Sequence, residues 1–300
     1  MSEQKVFREF TQNELDTQYD QSTLVPDIAP YVEQWEELTA QAVADFTVHR
    51  DLRYGGEANQ RLDLFEAQVP DAPLVVFFHG GAWMRHTKDL FGYPALALIP
   101  NGFAFATVEF DLIPDVRAEV QVNHALLAFE WLAGHGEAYG YSADRMFVAG
   151  HASGALLAGM VAATDWRTRL KRDASPLAGA LLLSGIYDLE PVRLSSRNEP
   201  LALTAKEARA LSPIHQIPPS PCPIVVAWGE AELNEYRRQS QEFAAAWRRA
   251  DGPCSALEIP GANHFEMSLE LCDPNGPLVQ SFQELCKSAS PKQGVEAAPQ

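Results

Sequence analysis

The sequence predicts an α/β fold: a doubly wound, mostly parallel sheet of eight strands with an antiparallel start. Three observations carry this expectation. Short apolar runs alternate with longer amphipathic stretches, the pattern of strands joined by crossover helices. From Leu74 onward the apolar runs are four to six residues long and almost wholly apolar, as strands covered on both faces require. Ahead of them, two extended stretches at 48–54 and 60–66 are spaced as an opening hairpin.

The elements follow in order. A polar leader, residues 1–47, is expected to be helical from about residue 11 and to cover the ligand cleft. The domain itself spans 48–288, with strands continuing at Leu74–Phe78, Ala104–Glu109, Met146–Ala149, Gly179–Leu183, Ile224–Ala227 and Ala256–Ile259. Helices are expected over 90–99, 117–134, 153–163, 204–210, 235–250 and 276–287. The polar, proline-containing tail, 289–300, is expected to be flexible. In a sheet of this kind the ligand sits beyond the carboxyl ends of the strands, so the motifs that carry chemistry belong there.

Composition removes several classes of function. The 23 basic and 40 acidic residues give 23 − 40 = −17, a charge that repels a phosphate backbone, so nucleic acid is not an expected partner. The first twenty residues lack the apolar core of a signal peptide and nowhere do eighteen apolar residues run together, so a cytoplasmic protein without membrane association is expected. Cys222, Cys254, Cys272 and Cys286 form no C-x-x-C pair and have no histidine at zinc spacing, which predicts free thiols and no metal site.

Three strand-end segments carry chemistry. His79-Gly80-Gly81-Ala82-Trp83 follows the strand LVVFF; paired glycines there let the backbone turn sharply and aim N–H groups into the cleft, where a developing oxyanion can be stabilised. Gly150-His151-Ala152-Ser153-Gly154 sits between the strand MFVA and a small-residue helix start, the context of a nucleophile elbow, G-x-S-x-G, but with the serine missing. Small residues are needed two before and two after the nucleophile. Gly150 and Gly154 meet that need around Ala152, whereas His151 and Ala155 do not around Ser153, so Ala152 is the elbow residue. Ser153 is then expected to give its backbone N–H to the oxyanion hole and its hydroxyl to the cap of the following helix.

The third segment, Gly261-Ala262-Asn263-His264-Phe265, follows the last strand and places His264 as a general base. The orienting acid is expected from the loop Gly229-Glu230-Ala231-Glu232-Leu233-Asn234-Glu235; Glu232 is the choice, with Glu230 as competitor and Glu235 opening the next helix. Trp83 is expected in an aromatic pocket wall, with a core-packing role as the alternative, and Arg85 or His86 are candidate donors to a substrate carboxylate.

Together these residues resemble the arylformamidase (kynurenine formamidase) branch of the α/β-hydrolases, including bacterial aryl-acylamidases acting on N-acylanthranilates. The likeness rests on LDTQYD in the leader, HGGAW, GH-x-x-G, SGIYDLEPV at 184–192, EYRRQS at 235–240 and GANHF. It implies the α/β-hydrolase fold, triad positions Ala152, Glu232 and His264, an oxyanion hole from Gly80, Gly81, Ala82 and Ser153, a structural role for Asp188, and no cofactor. The implied partner is a small aromatic amide or ester, with a homodimer left open. A glutamate at 232, where the family commonly has aspartate, tilts the substrate toward N-acylanthranilates and away from N-formylkynurenine. Ala152 leaves two explanations: an amidase whose serine has been replaced, with the rest of the apparatus intact, or a natural binder of an aromatic ligand. A broad carboxylesterase would share the mechanism and differ in its leaving group.

Overall fold

A computed structural model describes residues 4–289; the tail expected from 289 onward lies, apart from Ala289, outside the described residues. Eight strands form one sheet: β1 (Val48–Arg53), β2 (Arg61–Phe65), β3 (Ala72–Phe78), β4 (Ala104–Val108), β5 (Tyr141–His151), β6 (Leu177–Leu183), β7 (Ile224–Gly229) and β8 (Cys254–Ile259). Their spatial order is β1-β2-β4-β3-β5-β6-β7-β8. The β1–β2 and β2–β4 pairs are antiparallel and every other pair is parallel, as expected from the pattern of apolar runs.

Successive side chains of a strand point to opposite faces, and both faces are covered. Val76, Phe78, Val148, Leu182 and Val226 pack with Phe129, Leu157 and Trp247 on one side. Val75, Phe77, Phe147, Leu181 and Val225 pack with Trp35, Phe103 and Phe282 on the other. The edge strand β8 departs from the expectation of full cover, since Ser255, Ala256 and Glu258 are partly or wholly exposed and only Ile259 is buried.

Helices flank the sheet at Ala118–Leu132, Ser153–Ala162, Ala205–Ala210, Asn234–Arg249 and Pro277–Ala289, near the expected bounds. The helix expected over 90–99 is instead a short turn at Lys88–Leu90 followed by Ala95–Leu98. Gly92 and Pro94 interrupt it, because proline disfavours helix in the residue before it. Short helices at Trp166–Leu170, Glu190–Leu194, Asn198–Leu201 and Glu266–Leu269 were not anticipated; each is about one turn long, too short to show a period. The leader is also broken, into Gln12–Thr17, a turn at Gln21–Thr23 and Ala29–Asp45. Thr11 and Glu14 form a capping box on the first of these, and the Asp20 side chain caps the turn, so local hydrogen bonds compete with one continuous helix.

Among the described residues no helix is long and apolar enough to cross a membrane. Cys222, Cys254 and Cys272 are free thiols, as expected.

Candidate active site

The carboxyl ends of β3, β5 and β8 deliver the three motifs to one cavity of about 370 Å³, and the acidic loop after β7 packs behind it against His264. At the end of β5, Ala152 has φ 53° and ψ −120°, outside the regions an alanine normally occupies, and it immediately precedes the helix Ser153–Ala162. The two flanking glycines explain the tightness of the turn. A Cβ on Gly150 would lie 2.3 Å from the Gly154 carbonyl oxygen, and one on Gly154 would lie 2.0 Å from that of Phe78. Ala152 is therefore the apex of the elbow and Ser153 the first helical residue.

The Ser153 hydroxyl corrects an expectation. It does not cap the helix; it accepts a hydrogen bond from the Trp83 N–H at 3.2 Å. As the first helical residue, Ser153 lies past the position from which a side chain caps the first turn. What it does instead is tie the elbow to the loop after β3. In that loop Ala82 and Trp83 both have positive φ, 53° and 66°. His79 sits between the rings of Phe91 and Phe110, with centroids at 5.2 and 4.5 Å, and its Nδ1 donates to the Gly80 carbonyl at 2.7 Å. A trans peptide holds its C=O and N–H antiparallel, so anchoring the Gly80 oxygen also fixes the direction of the Gly81 N–H. Gly80, Gly81, Ala82 and Ser153 all line the cavity. Among the described residues the N–H groups of Gly81, Ala82 and Ser153 have no protein acceptor.

His264 and Glu232 meet behind this turn. Nδ1 of His264 lies 2.8 Å from Glu232 Oε1, and both residues are buried. The carboxylate accepts, so Nδ1 carries the hydrogen and the neutral ring keeps Nε2 as its unprotonated nitrogen. The other carboxylate oxygen accepts from the Gly229 N–H at 3.3 Å. Glu230 is exposed and caps the Gly261 N–H at 2.9 Å, away from the imidazole. Glu235 opens its helix as expected but is buried, bonded to Arg238 at 2.6 Å and accepting from the Tyr19 hydroxyl at 3.1 Å. Asp188 accepts from the Glu190 N–H at 3.0 Å, closing a local turn ahead of the helix Glu190–Leu194.

Several cavity residues had no signal of their own in the sequence. His151 donates from Nε2 to the His264 carbonyl at 2.8 Å, and burial, then the neighbouring His264, holds its pKa well below the usual histidine range. Tyr236 packs edge-on against His264 with centroids 4.6 Å apart. The leader supplies Tyr19, Gln21 and Trp35 to the wall, and Arg197 comes from the segment after β6. Trp83 fills both roles considered for it, since it is buried in the core and also lines the cavity. His86 is pushed down to a pKa of about 4, by burial first and then by His79 and Arg85, so at neutral pH it brings no positive charge. Arg85 is exposed at the cavity edge.

One further cluster has metal-ligating side chains. Glu57, Asp111 and His124 place ligand atoms within 4.8 Å of one another. His124 Nδ1 accepts from the Asp111 N–H at 3.5 Å, which puts the hydrogen on Nε2, facing Glu57 at 3.3 Å. A hydrogen-bonded pair accounts for this group without an ion.

Comparison with known proteins agrees with the geometry. A family model described as BD-FAE matches residues 62–181. The kynurenine formamidase of Danio rerio is 30% identical over 283 residues, covering 90% of this chain and 94% of that protein. That of Salmo salar is 31% identical over 236 residues, covering 76% and 78%. Esterase LipW from Mycobacterium marinum superposes with a TM-score of 0.70 at 19% identity, over 91% of this chain and 92% of that one, a likeness of fold alone. With strand order, elbow geometry and near full-length similarity in agreement, the chain belongs to the kynurenine formamidase family, hydrolases of the α/β-hydrolase type.

Proposed function

We propose that this chain is the scaffold of a serine hydrolase of aryl acylamides, of the N-acylanthranilate or N-formylkynurenine type, in which alanine at the nucleophile position leaves binding in place and removes turnover. The observation that carries the reading is the conformation of Ala152. A non-glycine residue held at φ 53°, ψ −120° costs roughly 1–3 kcal/mol, and such strain persists where function is built on it. Beside it stand the other parts of the apparatus: a buried imidazole–carboxylate pair and a set of N–H donors that, among the described residues, have no protein acceptor.

With a hydroxyl at position 152, His264 Nε2 takes its proton as the oxygen attacks the acyl carbonyl. The tetrahedral oxyanion is stabilised by the N–H groups of Gly81, Ala82 and Ser153, in the turn begun by Gly80. The arylamine then leaves with the proton held by His264, and water repeats the sequence on the acyl-enzyme. Glu232 holds the imidazole in its tautomer and stabilises the imidazolium. In the alanine form no such proton can be taken, so only positioning and oxyanion stabilisation remain.

Ala152→Ser should raise kcat by about 10⁶, the scale of nucleophile deletions in subtilisin. It should also confer covalent labelling by an organophosphate or a sulfonyl fluoride. Rates of that variant on aryl formamides, longer N-acylanthranilates and matched esters then identify the leaving group. Equal or better turnover of simple alkyl esters would make the protein a broad carboxylesterase. Absence of both hydrolysis and labelling would leave an aromatic-ligand binder.

A further inference from the structure

We propose that Arg197 is the anion anchor of the cavity, selecting aryl amides or esters that carry a carboxylate next to the scissile bond. This rests on the aryl-acylamide reading of the same site. The charge distribution is the starting point. In a chain with a formal charge of −17, about half of the arginines lie against carboxylates, as in Arg117–Glu207, Arg169–Glu130 and Arg193–Glu190. Arg197, half-buried in the cavity wall, has no carboxylate partner among the described residues: its Nη2 donates to the Tyr19 carbonyl, and its backbone N–H donates to the Ser195 hydroxyl. A guanidinium has five N–H donors in a planar fork suited to a carboxylate, and the Tyr19 carbonyl occupies only one edge of it.

Its neighbours narrow the choice of ligand. Among the described residues Asp20 is the one acidic residue of the cavity lining, and it is turned to the adjacent turn, accepting from the Ser22 N–H at 3.1 Å and the Ser22 hydroxyl at 2.6 Å. Gln21, also in the lining, brings a side-chain amide beside the Tyr236 hydroxyl, so the wall next to Arg197 is polar. The alternative donors are weaker candidates. His86 is neutral at pH 7 and packs against Trp35 and Phe91 as part of the aromatic wall, and Arg85 is exposed, where water screens it.

The proposed substrate class then specifies the isomer. Arg197, Tyr236 and His264 line the same cavity of about 370 Å³, and the Tyr236 ring packs edge-on against His264. An anion held by Arg197 therefore shares its cavity with the base. In an N-acylanthranilate the carboxylate is ortho to the acylated nitrogen, so the ortho acid is the ligand to test.

The alanine-152 protein can be tested as it stands. Isothermal titration with 2-acetamidobenzoate, 4-acetamidobenzoate and acetanilide should rank them in that order. The ortho acid should bind on the order of 10- to 100-fold more tightly than the neutral anilide, the range of one charge-assisted contact. Arg197→Gln should bring the ortho-to-neutral ratio close to one, and Arg197→Lys should recover part of it, because the point charge returns without the fork. The same ratio read as kcat/KM in the Ala152→Ser background should fall with it. A ratio that survives Arg197→Gln, or no preference for the ortho acid in the parent, overturns the proposal while leaving the hydrolase reading intact. If Ala152→Ser is inactive but the binding ratios behave as stated, the anchor stands and the catalytic reading fails.

Discussion

Ala152 and Tyr19 line the same cavity, but the chain fixes them by different means. The elbow is built within five residues, and its glycines are dictated by backbone atoms 2.0 to 2.3 Å from where a Cβ would sit. The leader is placed by side chains reaching across the chain. The Tyr19 hydroxyl donates to Glu235, 216 residues away, Asn263 donates to the Tyr31 hydroxyl over 232 residues, and Gln239 donates to the Tyr19 hydroxyl at 3.1 Å. Reaction geometry is thus encoded by local sterics, and recognition geometry by long-range polar contacts. Damage to the first should appear in kcat, and damage to the second in KM and stability.

The largest break in this contrast should come from the acid that serves the base. In the Ala152→Ser background, Glu232→Gln should lower kcat by about 10⁴, as loss of the orienting carboxylate does in serine triads, because the amide cannot stabilise an imidazolium. Glu230→Gln should change it little, since Glu230 only caps Gly261. Steady-state kinetics of both variants decides it, and the reverse ranking would reassign the acid.

The same contrast explains what could be read without a structure. The eight strands with their antiparallel start, the carboxyl end of β3 and the elbow register follow from apolar runs and glycine spacing, which act over a few residues. The segments LDTQYD, SGIYDLEPV and EYRRQS could be noticed as motifs but not given a purpose. They converge on one side chain: the Gln239 amide accepts from the Tyr187 and Asp188 N–H groups at 2.7 and 2.8 Å while donating to Tyr19. A lone glutamine in a helix gives no sign of such a role. Arg197, Trp35 and Tyr236 escaped for the same reason, since nothing in their neighbours along the chain marks them as facing a cavity. Ser153 was misread because a serine at a helix start has a common local role, and here a tertiary contact with Trp83 replaces it.

Ser153→Ala tests the seam between the two regions. It leaves the buried Trp83 N–H without its acceptor, at a cost of about 1–3 kcal/mol. Thermal unfolding should show that loss, and in the Ala152→Ser background kcat should fall more than KM rises, because the oxyanion loop is no longer tied to the elbow. A smaller effect of the opposite kind is expected from Tyr19→Phe. Losing its bonds to Glu235 and Gln239 should cost about 1 kcal/mol and raise KM more than it lowers kcat. A purely kcat effect would show that the leader takes part in positioning the reacting groups.

The smallest expected effect is a pH dependence at the contact between loop and leader. His86 packs edge-on to Trp35, ring centroids 5.7 Å apart, and also against Phe91, and the nearby titratable groups that act on it are His79 and Arg85. None of these favours a charged imidazole more than burial opposes it, so the pKa drops from 6.5 to about 4. Between those values the folded chain binds fewer protons at His86 than the unfolded chain does. Stability from this residue is therefore fully present above pH 6.5 and declines as pH falls toward 4. His151, also depressed by burial, acts in the same direction, so the measurement must be a difference between proteins. Urea unfolding at pH 7 and pH 5 should show the parent losing about 1 kcal/mol more than His86→Gln, after allowing for partial exposure and solvent screening. Identical pH dependence in the two proteins would mean that His86 relaxes into water on protonation. The Trp35 contact would then be held by the leader's polar anchors and not by the imidazole.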